Sequence, residues 1–251
     1  MVSWKRLAPL ALAPLLLGLL GAAAPVVSQA AVPGKQAVVE VRTIGHSVKG
    51  RPIVAWRLGQ PSSPTKVVFM ARMHGDEAGP SRILYQLRDG RPIKGADIWV
   101  IPVYNPDGAA RHTRQNAHGV DLNRNWPRHW AHLGGATYSG PSPASEPETR
   151  AIMAFLKQVR PRWIVSFHQP LHGVGRTGGK GRTFVRRLHR QLHLPVKAFN
   201  CDGVCHGTMT EWFNASFPGV AVTVEYGHGL SRRQSRITGP TGLLRAVGAS
   251  R

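Results

Sequence analysis

Four residues stand out for the chemistry they could do: His74 and Glu77 in MHGDE, His168 at the end of WIVSFH, and Glu225 in TVEYG. A His-x-x-Glu pair with one distant histidine offers two imidazoles and a carboxylate. That set suits a single Zn2+ ion, and three protein ligands leave a fourth position open for water, the mark of a catalytic rather than a structural zinc. Glu225 is then the candidate base for that water. Arg114 in RHTRQN is a guanidinium that could meet a developing oxyanion. Arg124 in GVDLNRNWP, with Asn123, presents a planar donor fork that fits a substrate carboxylate. Asp121 is placed to hydrogen-bond a ligating imidazole from behind. Each residue also has a plainer reading: a loop pair for His74 and Glu77, a core histidine for His168 among 12 in the chain, an ordinary ion pair for the rest.

The elements that would position these residues read as an α/β protein, a mixed and largely parallel central sheet flanked by helices. Apolar, β-branched runs predict strands over 37–43, 53–58, 66–71, 97–103, 163–167 and 220–224. Helices are expected over 79–88, 146–159, 182–192 and 207–217. Ser145 followed by Glu148 has the pattern of a capping box and would start the second helix. Short apolar strands such as KVVFMA and WIVSF, alternating with helices, predict parallel pairs buried on both faces. TIGHSVKGRPIVAW reads instead as a hairpin turning at Lys49-Gly50. His74, His168 and Glu225 all fall at carboxyl ends of predicted strands, as does Asn105-Pro-Asp-Gly108. Open α/β sheets build their binding crevices at that edge.

Composition sets the context. Residues 1–30 read as a secretory leader: Lys5 and Arg6, an apolar run from Leu7 to Ala24, then Ser28-Gln29-Ala30 as small residues before cleavage. Residues 31–251 would follow as one catalytic domain, exported and with no later stretch apolar enough to span a membrane; a retained anchor is the alternative. Loss of Lys5 and Arg6 takes the formal charge from +21 to +19. So basic a chain favours polyanions, for an exported protein the cell-wall polymers and anionic lipid, or simply carries a solvated basic coat. The basic residues are scattered and no nucleic-acid motif accompanies them, so no nucleic-acid partner is expected. Cys201 and Cys205, the two cysteines present, suit a local disulfide in an oxidising compartment; a zinc role for them lacks the four-ligand count of a structural site. Gly173-Val-Gly175-Arg-Thr-Gly178 has the spacing of a dinucleotide fingerprint without its downstream acid, and no G-x-S-x-G occurs.

MHGDEAG, YNPDG, GVDLNRNWP, SEPET, SFHQ and TVEYG follow one another in an order that resembles the zinc carboxypeptidase (funnelin) family. The resemblance covers about residues 37 to 227. It implies His74, Glu77 and His168 as ligands of one Zn2+, Glu225 as general base, Arg114 as the carbonyl-polarising arginine, and Asn123 with Arg124 as binders of a terminal carboxylate. The tyrosine that digestive members place ahead of the base is missing, since none lies between Tyr138 and Tyr226. Compactness and the GVDLNRN wording are closer to bacterial murein peptide amidases, which cut between γ-D-glutamate and diaminopimelate; the basic residue that often precedes GVDLNRN there is His118 here. The expectation is a secreted zinc-dependent metallopeptidase whose substrate is a peptide with a free carboxylate, in murein stem peptides. A general carboxypeptidase acting on protein C-termini is the rival within that class. A non-catalytic basic module that binds the cell wall is the rival outside it.

Overall fold

The central strands are apolar runs buried along nearly their whole length, and among the described residues one sheet collects eight strands. The computed structural model describes residues 1, 37–199, 201 and 203–251; the expected leader, Met1 apart, lies outside the described residues. The strands are β1 (Val38–His46), β2 (Pro52–Gly59), β3 (Lys66–Ala71), β4 (Asp97–Ile101), β5 (Trp163–His168), β6 (Gly173–Gly175), β7 (Val196–Lys197) and β8 (Val220–Glu225). The helices are α1 (Ser81–Arg88), α2 (Pro106–Arg111), α3 (Pro147–Val159), α4 (Arg182–Leu192), α5 (Met209–Ser216) and α6 (Gly239–Val247).

Across the sheet the order is β1-β2-β4-β3-β5-β8-β6-β7. β4, β3, β5 and β8 run parallel, whereas β1 and β2 form an antiparallel hairpin and β6 pairs antiparallel with β8. The sheet is therefore mixed, with a parallel centre. In the parallel strands, neighbouring residues feed opposite faces. Val67, Phe69, Val165, Phe167, Val222 and Val224 join one cluster with Leu84, Phe184, Leu188 and Leu243 of α1, α4 and α6. Val68, Met70, Ile164 and Ala221 join a second with Phe155, Leu156, Trp212 and Phe213 of α3 and α5. Three layers bury the sheet on both faces, as parallel pairing requires.

Sequence and structure part company at a few places. The helix expected from Ser145 starts at Pro147 with Glu146 as its N-cap and no side-chain cap. Both acids have been recruited elsewhere: the Asn116 amide donates to Glu146 at 2.7 Å and to Glu148 at 3.1 Å, so the capping box does not form. Pro147, with its missing N–H and fixed φ, starts the helix instead. The strand expected to reach Val103 stops at Ile101, before Pro102. A π-turn (Gln234–Thr238) and α6 are absent from the sequence reading. Their glycines and Pro240 argue against a helix on propensity, but Gly242 is needed where it stands: a Cβ there would lie 2.4 Å from the Gln191 carbonyl oxygen of α4. Close packing, not propensity, makes this helix.

α2 is a single turn and a half, but it braces the sheet edge. Asn105 caps it, accepting from the Gly108 N–H at 2.8 Å. Buried Asp107 reaches back to the β1–β2 turn, accepting from the Lys49 N–H at 2.9 Å and from Arg51 at 2.5 Å. Burial works to raise the Asp107 pKa; the hydrogen bonds from Lys49 and Arg51 outweigh it and hold the carboxyl below the ordinary aspartate value. A group depressed in this way contributes stability above its unfolded pKa and loses it as pH falls toward the folded one. Asp107→Asn is expected to destabilise by about 1–2 kcal/mol at neutral pH, with the gap from wild type closing below about pH 4. Urea unfolding at pH 7 and pH 3.5 reads this directly, and an unchanged gap would remove the ion from the account.

Candidate metal centre and cleft

Going along the chain, consecutive strands step from β3 outward to β4, then return to add β5 on the other side of β3. That reversal opens a crevice between the carboxyl ends of β3 and β5, the usual place for a ligand in an open α/β sheet. His74 follows β3, and His168 is the last residue of β5. β8 pairs with β5 so that His168 stands directly opposite Glu225. Residues in register on parallel strands share a face, which sets the Glu225 carboxylate beside the imidazole. Glu77 enters through the tight turn that follows His74, where its N–H donates to the His74 carbonyl at 3.1 Å.

His74, Glu77 and His168 are buried, and their candidate ligand atoms all lie within 4.8 Å of one another. His74 Nδ1 is 2.8 Å from Glu77 Oε1, His168 Nδ1 is 3.0 Å from Glu77 Oε2, and the two Nδ1 atoms are 3.2 Å apart. Both Nε2 atoms are held from behind, His74 by Asp121 Oδ1 at 3.1 Å and His168 by Ser166 Oγ at 3.1 Å. Arg114 Nη1, a donor, also faces His74 Nδ1 at 3.3 Å. No tautomer of His74 satisfies a carboxylate acceptor and a guanidinium donor at one nitrogen. A cation accepting lone pairs from all three side chains resolves that conflict, and two nitrogens with one carboxylate oxygen are donors that zinc favours.

Charge supports the same reading. Burial alone would lower the His74 pKa, yet Asp121 and Glu77 raise it to about 9. Burial would likewise raise Glu77, yet His74 and His168 bring it down to about 2. Asp121 is held well below the carboxylate range by His74, Arg114 and Arg124 against its own burial. The site thus concentrates anionic charge in a buried place and keeps a proton where a metal ion would bring more charge. Glu225 differs: burial pushes its pKa up, and the charge of Glu77 adds to that. Its Oε2 accepts from the Leu171 N–H at 3.3 Å.

All eight residues singled out in the sequence come together. Seven line one cleft of about 860 Å³: His74, Glu77, Arg114, Asn123, Arg124, His168 and Glu225. Asp121 sits fully buried behind them, receiving Arg114 Nε at 3.0 Å and Nη2 at 2.7 Å. Arg124 is buried with Nη1 on the Asn123 carbonyl at 2.8 Å, while its Nε has no partner. Asn123 Oδ1 accepts from the Met209 N–H at 3.2 Å, which ties the loop to the start of α5.

Other residues of the site escaped the sequence reading. Arg128, Arg176 and Glu211 also line the cleft, with Glu211 paired to His129. Cys201 and Cys205 are bonded to each other on its wall. Gln169 spans the mouth, accepting from the Gly79 N–H at 3.0 Å and donating to the Gly227 carbonyl at 2.7 Å. Ser166 was findable, since period two puts it on the same face as His168. Glu146 and Glu148 were not: they hold Asn116, whose Oδ1 accepts from the His118 and Val120 N–H groups and fixes the loop that carries Asp121, Asn123 and Arg124.

The zinc carboxypeptidase family model matches residues 30–175, more than half of the chain, and the chain belongs to that family of zinc-dependent hydrolases. Murein peptide amidase A of Escherichia coli (strain K12) is 35% identical over 142 residues, covering 51% of this chain and 58% of the relative's own length. Murein peptide amidase A of Vibrio campbellii is 29% identical over 184 residues, covering 68% and 73%. Among solved structures, murein-tripeptide amidase from Escherichia coli O157 superposes with a TM-score of 0.68 at 26% identity, over 83% of this chain and 92% of that one.

Gly75 is the backbone contact that sets His74 against its neighbours. A Cβ at that position would lie 2.0 Å from the Gly108 carbonyl carbon of α2. Gly75→Ala is expected to displace the turn between His74 and Glu77 and reduce zinc affinity at least tenfold, measured by competition with a chromophoric chelator. Asp121→Asn keeps the shape of the side chain but weakens its hold on His74, for an expected loss of about 10–100-fold in zinc affinity. Zinc binding equal to wild type in both variants would dissociate these supports from the metal.

Proposed function

We propose that the protein is an exported, zinc-dependent metallopeptidase that hydrolyses an amide bond next to a carboxylate-bearing terminus, with murein peptides joined through γ-D-glutamyl-diaminopimelate as substrate. The observation that carries the substrate class is the guanidinium content of one cleft. Arg114, Arg124, Arg128 and Arg176 all line it. An ordinary peptide C-terminus offers a single carboxylate. A γ-linked glutamate leaves its α-carboxylate free beside the scissile amide, and diaminopimelate brings two more. Likeness to relatives named murein peptide amidase A supports a murein peptide as substrate. Export rests on the leader-like residues 1–30; no helix among the described residues is long and apolar enough to cross a membrane.

His74, Glu77 and His168 would hold one zinc ion. Zinc bound there supplies Lewis acidity, lowering the pKa of a water molecule and polarising a carbonyl oxygen. Glu225 takes a proton from the attacking water and delivers it to the leaving amine. Its burial suits that exchange, since a carboxylate raised above its ordinary pKa is a better match to a proton passed in both directions. Arg114 is fixed at Nε and Nη2 by Asp121, so its remaining amino group faces the metal site, where it can hydrogen-bond the oxygen that gains charge. Arg124, with an unpartnered Nε, and Asn123 receive the terminal carboxylate.

Incubation of the zinc-loaded protein with L-Ala-γ-D-Glu-diaminopimelate, beside α-linked peptides and with chelator controls, tests this reading by mass spectrometry of the products. The expected result is chelator-sensitive release of diaminopimelate alone. Trimming of the α-linked peptides would make the protein a general carboxypeptidase instead. Glu225→Gln is expected to retain zinc stoichiometry while losing at least a thousandfold in turnover, the scale of a positioned acid–base group and its partner steps. Turnover close to wild type in that variant would take Glu225 out of the proton path.

A further inference from the structure

The layer on the far side of the sheet from α3 and α5 has a charge distribution of its own. Neither 182–201 nor 226–251 contains an aspartate or glutamate, and these segments supply α4, the π-turn and α6. α4 buries Phe184, Val185, Leu188 and Leu192 against the sheet and exposes Arg182, Arg186, Arg187 and Arg190. Among the described residues none of these arginines pairs with a carboxylate. Arg182, Arg186 and Arg190 are four apart, which aligns them along one stripe at steps of about 6 Å. α6 packs on α4 and the π-turn packs on α6, adding exposed Arg245 and Arg236 to the same layer. The nearest exposed acid of this layer is Asp89 at the end of α1, already paired with Arg88, whereas Asp121, Glu146, Glu148 and Glu211 belong to the side that builds the cleft.

Like charges one turn apart oppose helix formation, and a coat meant only for solubility would intersperse both signs. We propose that this α4–α6 layer is a docking face for a linear, phosphate-bearing anionic polymer of the cell wall. Guanidinium forks in a row match the repeating phosphates of such a chain, each contact bidentate. A membrane surface fits less well: interfacial helices insert an apolar face, and the apolar face of α4 is spent on the core, leaving Ile237 as the one large exposed hydrophobic of the layer. Single-stranded nucleic acid is gripped through aromatic stacking, but Phe184 is buried and stacked on Trp163. The face is separate from the cleft, and it would keep the enzyme on the wall whose fragments it cuts. The polymer's identity rests on the export proposed above, while binding is read without reference to turnover.

The test is fluorescence anisotropy of labelled poly(ribitol phosphate) wall polymer with the zinc-loaded full chain across a salt series. The triple variant R186Q/R187Q/R190Q is compared with K49Q/K66Q/K157Q, which removes equal charge from exposed positions off this layer. The pair R182Q/R245Q serves as a second, independent variant should the triple unfold in circular dichroism. Expected are at least tenfold weaker binding and a shallower salt dependence for the α4 triple, a smaller loss for the pair, and affinity within twofold of wild type for the lysine triple. Hydrolysis of a soluble murein tripeptide should be unchanged in all three, so loss of catalysis and loss of docking remain distinguishable. Equal losses in both triples would show that only total charge counts and overturn the proposal. So would tighter binding to phosphatidylglycerol vesicles or to single-stranded DNA than to the polymer.

Discussion

Everything in the site depends on holding like and unlike charges together out of water. Two imidazoles, Glu77 and Asp121 meet in a buried volume where each would be costly alone, with half-buried Arg114 closing it from the cleft side. The cost is offset because each partner is oriented by another. Asp121 stands at the centre of this arrangement: one oxygen receives the Asn123 N–H at 2.9 Å and faces His74, and the other receives Arg114 twice. A single buried carboxylate thereby sets the ring orientation of a candidate ligand and the direction of the Arg114 guanidinium. Relocating it would cost both.

The sheet supplies what such a cluster needs, a backbone that cannot shift by small amounts. Parallel pairing of β3, β5 and β8 fixes His74, His168 and Glu225 along one edge, and a slip of one residue would turn His168 to the opposite face. The connecting loops are braced separately. α2 presses on Gly75, Asn105 donates to the Met73 carbonyl, and Asn116 ties the GVDLNRN loop to the two acids that open α3. Precision in the cleft is thus inherited from strands and enforced on loops by buried hydrogen bonds.

How much of this was legible follows from what each feature leaves in the sequence. Six strands were readable because apolar, β-branched runs feed two cores, and the candidate ligands because His168 ends such a run and His74 with Glu77 closely follows another. β6 and β7 were not, being three and two residues long, the first mostly glycine, with no periodicity to read. α6 was hidden by its glycines, of which Gly242 is required by packing on α4. The Ser145–Glu148 pattern was misleading for an instructive reason. A capping box is a local bargain, and the Asn116 amide offers both Glu146 and Glu148 a buried charged hydrogen bond from thirty residues away. Local rules yield where a functional loop needs the same groups.

The departure from an even charge distribution has the same logic on a larger scale. A chain with 33 basic and 12 acidic residues has few carboxylates to place. Here Glu77, Glu211 and Glu225 line the cleft, Asp121 sits behind it, Glu146 and Glu148 go to the loop that shapes it, and Asp107 to α2. Few remain for the α4–α6 layer, and among the described residues the α4 arginines form no ion pair with a carboxylate. Buried pairs of opposite charge create order in the site, while unpaired charge of one sign creates a field outside it. Under the function and the docking proposed above, the two uses of arginine are complementary: inside the cleft they would fix a terminus, and across the opposite layer they would hold the enzyme near the material from which termini are released.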